Sequence, residues 1–146
     1  MSTPTSLEEI ETMPNLTVNQ LLEAIKHLYE ALRILLSVLE EIERGAMRGI
    51  EISRSLATAW YRVNCCRLYT ESDINLEELN VEAMGLINEA KCMIDSLISW
   101  QKGLNPHGKL YITQSIREAA DNLNLVLTEL ESLLHHQKAG EFAISA

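Results

Sequence analysis

Arg44, Arg48, Arg54, Arg62 and Arg67 fall within residues 44–67, and Glu51 is the one acidic residue among them. The whole chain carries a formal net charge of −9, so this stretch locally reverses the sign. A guanidinium presents a planar fork of donors that matches carboxylates and phosphates. On a helix, Arg44, Arg48, Arg54 and Arg62 come roughly to one side, a spacing suited to docking an anion or an acidic partner. The pattern suits a solvated polar face better. Glu40 and Arg44 stand four apart, a favourable helical pair, and acidic helices beside the stretch supply counter-charges.

Glu23, His27 and Glu30 lie on one side of a helical projection, and Glu131 and His135 are four apart. Bundles hold paired metals with inward glutamates and Glu-x-x-His motifs. The spacing differs here, and with Ile25 and Leu28 inward these three residues turn to water. His135 and His136 suit a helix C-terminus, where partial negative charge collects. Of the three cysteines, Cys65 and Cys66 are adjacent, which makes no disulfide framework. They point about 100° apart on a helix and lack a Cys-x-x-Cys partner set, so they read as small apolar filling. No phosphate loop, nucleophile elbow or zinc-protease motif occurs. No cofactor or metal is expected, and no residue set points to catalysis.

The elements that must position these residues are helices. Val18, Leu21, Ile25, Leu28, Leu32, Leu35, Leu39 and Ile42 recur at steps of three and four. So do Leu76, Leu79, Ala83, Leu86, Ala90, Met93, Leu97 and Trp100, and again Ile112, Ile116, Ala119, Leu123, Val126, Leu130 and Leu133. A mean step of three and a half keeps an apolar seam on one helical face. The fold class is therefore all-α, an up-down antiparallel four-helix bundle over residues 17–139 with heptad-like packing. Thr17 and Gln20 form a capping-box pattern that starts the first helix. At Gly45 and Gly49 the helix either breaks or continues with a kink; the break at Gly45 is the expectation, because a helix running from 17 to 70 would reach about 80 Å. The second helix spans about 47–70, with the small residues Ala46, Gly49, Ser53 and Ala57 permitting close approach. The third starts at Asn75 and stops at Gly103. Asn105-Pro106-His107-Gly108 reads as a turn before a fourth helix from about 109 to 138, closed by Gly140 ahead of a short tail. Residues 1–16 are a lead-in, with a capping pattern at Ser6 and Glu9 and a stop at Pro14.

Composition narrows function by exclusion. The acidic balance argues against nucleic acid and anionic membrane as partners. No apolar run approaches the roughly 18 residues of a membrane span. The N-terminus lacks the basic and apolar regions of a signal peptide, so a cytoplasmic setting is expected. What remains is an excess of apolar residues in mid-helix. Leu22, Tyr29 and Leu36 widen the stripe of the first helix on one flank. Ile34 and Val38 are also apolar there, with Ile34 opposite much of the seam, and Leu125 takes the equivalent outward place on the last helix. Ile34, Val38 and Leu125 are thus the candidate partner interface. The expected function is a small acidic protein–protein interaction module, self-associating or binding another protein. Alternatives are a bundle that binds an anionic or apolar ligand between helices, near Arg48, Arg54 and Trp60, and an enzyme of unrecognised type.

Overall fold

The computed structural model describes residues 16–45, 48–99 and 104–145, with side chains up to Gly140. Four helices follow one another: α1 (Val18–Arg44), α2 (Gly49–Thr70), α3 (Ile74–Ser99) and α4 (Pro106–Ser145). Each packs on its neighbour in sequence, and α4 returns to α1, closing an up-down four-helix bundle. Cross-helix contacts fix the directions. Arg67 late in α2 meets Glu77 early in α3, and Ser53 early in α2 meets Asp95 late in α3. Likewise Glu43 at the end of α1 meets Arg117 near the start of α4, while the carbonyl of Leu16 accepts from Gln137. No helix among the described residues is long and apolar enough to cross a membrane.

The helix ends follow local chemistry. The Thr17 hydroxyl accepts from the Gln20 N–H at 3.1 Å and the Gln20 side chain accepts from the Thr17 N–H at 3.0 Å, satisfying two donors a helix start leaves open. Gly45 sits at φ 73° and its N–H donates to the Ile42 carbonyl, the left-handed stop that a side chain would disfavour. So α1 ends at this glycine and α2 begins afresh at Gly49. A Cβ on Gly49 would stand 3.0 Å from Ile98 Cγ1, so this glycine lets α2 approach α3 closely.

Three boundaries differ from the sequence expectation. Asp73, not Asn75, caps α3: its carboxylate accepts from the Leu76 N–H at 3.1 Å. Asn105-Pro106 opens α4 rather than forming a turn ahead of it. The Asn105 side chain accepts from the Gly108 N–H at 2.7 Å, and proline needs no hydrogen bond at the first helical position. Gly140 does not close α4, which runs on to Ser145; unlike Gly45, it does not take the left-handed conformation that ends a helix. The expected stop at Gly103 and the lead-in at 1–15 lie outside the described residues.

The core is aliphatic. Leu28, Leu35, Ile52, Leu56, Ile87, Ile94, Ile112, Ile116, Leu123 and Leu130 are fully buried, each worth about 1.5–3 kcal/mol relative to exposure. The seams of α1 and α4 match the sequence series. That of α3 is shifted by one residue on alternate steps. Asn80, Ile87 and Ile94 are buried, while Leu79, Leu86 and Met93 pack only at the margin.

Candidate functional site

The arginines have different partners. Arg44 pairs with Glu40 at 2.7 Å within α1, and Arg48 with Glu51 at 3.3 Å, all four well exposed. Arg62 donates across to His27 Nδ1 of α1 at 3.1 Å, whereas Arg67 reaches Glu77 of α3 at 2.7 Å. Arg54 is exposed. Of the four arginines expected to share a side, Arg44 and Arg48 thus pair within their own helices and Arg62 alone reaches across to a neighbouring helix.

His27 is not simply turned to water. It is partly buried, and burial followed by the adjacent Arg62 charge lowers its pKa. Glu30 is held by Arg33 through two contacts, at 2.5 and 3.2 Å, and that hydrogen bond chiefly lowers the Glu30 pKa. Cys65, Cys66 and Cys92 are all free thiols, ranging from buried Cys66 to exposed Cys92. Burial pushes the Cys66 thiol up to about 12, which removes its nucleophilic form. Among the described residues no three His, Cys, Asp or Glu side chains stand close enough to hold a metal ion.

The α2–α3 interface carries a chain of polar contacts. The Ser53 hydroxyl donates to Asp95 at 2.5 Å, and Lys91 holds the other oxygen of that carboxylate at 2.7 Å. The Lys91 hydrogen bond, then that of Ser53, lowers the Asp95 pKa. Deeper, the fully buried Asn80 amide donates to Thr70 at 3.2 Å, and Thr70 donates to the Cys66 carbonyl at 3.3 Å. Asn80 Oδ1 is buried without a partner. All these groups serve the helix contact itself.

Of the three residues expected to form a partner interface, Ile34 and Val38 are buried, at 8% and 2% exposure. The outward strip expected around Ile34 is thus absent. Because α1 packs against α2 on one side and α4 on the other, its buried sector is wider than one seam, and Ile34 and Val38 fall inside it. Leu125 is exposed and lines a shallow groove with Leu76, Leu79 and Glu129.

The exposed strip of α1 lies elsewhere. Leu22, Tyr29 and Leu36 are 42%, 52% and 59% exposed and repeat every seven residues, so they stack along one line of the helix. Ile25 and Leu32, each 7% exposed, close its inner edge. Exposed Lys26, Arg33 and Glu40 repeat at the same spacing along the outer edge. An open groove here is bounded by Leu22, Ile25, Lys26, Tyr29, Glu30, Arg33 and Arg62. Leu22, Ile25, Tyr29, Leu32 and Leu36 make a second three-four series on α1, one step round from the core seam. The sequence contains it, but its exposure depends on where the neighbouring helices stop covering α1. Comparison with protein-family models, curated proteins and solved structures finds no match.

Proposed function

We propose that this chain is a non-enzymatic protein–protein interaction module whose docking face is the outer line of α1. The supporting observation is the seven-residue repeat of Leu22, Tyr29 and Leu36 on a helix whose opposite face already closes the core. The bundle does not need those three side chains for its own closure. A helix laid along α1 would cover them in the way one bundle helix covers the next. Lys26, Arg33 and Glu40 form a charged rim that would select orientation rather than supply most of the affinity. Leu125 offers a smaller exposed patch on the α3–α4 side. Unpaired thiols suit a reducing, cytoplasmic setting.

A ligand-binding reading has less support. Two grooves border Trp60, one of about 260 Å3 with Ala57, Ile87 and Lys91 and one of about 480 Å3 with Arg67, Val81 and Met84, and both are open to solvent. Ligand sites bury most of their ligand's surface, and neither Arg48 nor Arg54, the cations proposed for an anionic ligand, lines either groove.

The test uses the full chain as bait in extract of its native host. Wild type should retain one or more proteins that the Tyr29→Glu, Leu36→Glu double variant loses. Both side chains are more than half exposed, so the thermal melt of the variant should match wild type. An identical set of retained proteins would remove this face from the function.

A further inference from the structure

We propose that the face shared by α3 and α4 docks a basic amphipathic helix of another protein, one with lysines or arginines flanking an apolar stripe. This surface is separate from the outer line of α1, and the inference does not depend on that reading. Two features mark its length. At one end Leu79 and Leu125 border a groove of about 340 Å3 with Leu76 and Glu129. At the other the Tyr111 hydroxyl reaches Glu89 across the helix contact at 3.5 Å.

Helix periodicity fills the space between them. Leu79, Leu86 and Met93 repeat every seven residues on α3 and are partly buried, a shallow apolar floor. Exposed Glu82 and Glu89 stand three residues on from Leu79 and Leu86, along the same flank. On α4, Tyr111, Glu118 and Leu125 form one line at the same spacing, all exposed. Glu82 comes seven residues before Glu89, and Glu118 seven after Tyr111. The antiparallel alignment therefore brings these two carboxylates level, like charge beside like charge.

That charge is uncompensated. Among the described residues Glu82, Glu89, Glu118 and Glu129 form no ion pair. Between residues 79 and 93 the one cation is Lys91, and between 111 and 129 it is Arg117. Lys91 turns to Asp95 and to the groove beside Trp60, on the α2 side. Arg117 turns to Glu43 of α1. The face thus repels nucleic acid and anionic membrane and attracts cations. Its apolar floor gains nothing from a simple salt ion. A helix that lays an apolar stripe over Leu79, Leu86 and Leu125 with basic residues on either side satisfies both. Leu79 to Met93 is about 21 Å of helix, roughly four turns.

A synthetic four-turn amphipathic peptide of leucine and lysine is the probe, titrated into the isotopically labelled full chain. Chemical shifts should move at Leu79, Leu86, Glu89, Glu118 and Leu125, and the matching leucine–glutamate peptide should not bind. Two double variants of equal net charge separate this site from general attraction to an acidic protein. Glu82→Gln with Glu118→Gln should weaken peptide binding by about two- to thirtyfold, as for two exposed ion pairs, and the loss should shrink in high salt. Both side chains are exposed and face each other, so this variant should melt no lower than wild type. Glu23→Gln with Glu131→Gln should weaken binding far less, since Glu23 lies on α1 and Glu131 lies two heptads on from Arg117, on the α1 side of α4. Equal losses in the two variants would reduce the effect to net charge and overturn the site. Absence of binding, or shifts confined to another face, would overturn it too. The Tyr29→Glu, Leu36→Glu variant should bind the peptide as wild type does, so failure of the α1 face leaves this one standing.

Discussion

Every residue that α1 buries is aliphatic, and on α4 the buried Thr113 hydroxyl bonds back to its own helix. Between α2 and α3, by contrast, buried polar side chains bond across the contact, Ser53 to Asp95 and Asn80 to Thr70, whereas the polar contacts between α1 and α4, Arg117 to Glu43 and Gln137 to Leu16, lie toward the helix ends and outside the core. The two sides of the bundle therefore hold together by different means. Apolar burial is large and nearly indifferent to sliding by a heptad. A polar contact is worth little net, but only one register satisfies it. The α2–α3 side fixes alignment, and α1 supplies apolar area in excess of what the bundle closes over.

The largest expected effect tests the aliphatic side. Leu35→Ala should cost about 2–5 kcal/mol in denaturant unfolding, because Leu35 is fully buried. A loss no greater than that of a surface substitution would abolish the contrast. Next comes the polar side. Thr70→Val keeps the shape but leaves the Asn80 amide buried and unpaired, which should cost about 1–3 kcal/mol. Adding Asn80→Leu should recover most of the loss, since it removes the stranded group and the unpartnered Oδ1 together. Strictly additive losses in that double variant would show that the Asn80–Thr70 bond has no such role.

The smallest effect sharpens the comparison at the α1–α2 contact. Burial and Arg62 hold the His27 pKa below its ordinary 6.5, so the unfolded chain takes up a proton before the folded one. His27 then contributes stability that is fully present above pH 6.5 and is lost as the pH falls from there through the folded value. Arg62→Gln should raise the His27 pKa in an NMR titration and flatten this part of the stability profile. No movement of the His27 resonance would remove Arg62 as a cause.

The repeat of apolar residues made the helices and their order legible, because α1 and α4 keep it without interruption. Gly45 was legible for the same kind of reason: a glycine between two helical patterns has a local job. The seam of α3 was not. Leu79, Leu86 and Met93 compete with Asn80, Ile87 and Ile94 for the same face, and Asn80 argues against its own burial until Thr70 supplies a partner. Ile34 was misplaced because a stripe drawn for one neighbour ignores that α1 has two. Leu22, Tyr29 and Leu36 were visible as apolar. Whether a residue at the margin of a stripe is covered depends on the placement of adjacent helices, which the pattern does not carry. The pattern also did not carry the arginines' partners: Arg62 reaches His27 of α1 and Arg67 reaches Glu77 of α3.

Few residues of sequence separate the described helices: Arg44 from Gly49, Thr70 from Ile74 and Ser99 from Pro106. Each of the first three helix contacts therefore closes a small loop, at little entropic cost. Only the return of α4 to α1 joins distant parts of the chain, as in Arg117 to Glu43 and Gln137 to Leu16. A topology dominated by local contacts folds quickly, with the long closure as its expensive step. The α1–α4 seam is thus the natural last event in folding and first in unfolding. Until it forms, the core seam of α1 stands open beside its outer line, and the same helix offers two apolar faces to any neighbouring chain.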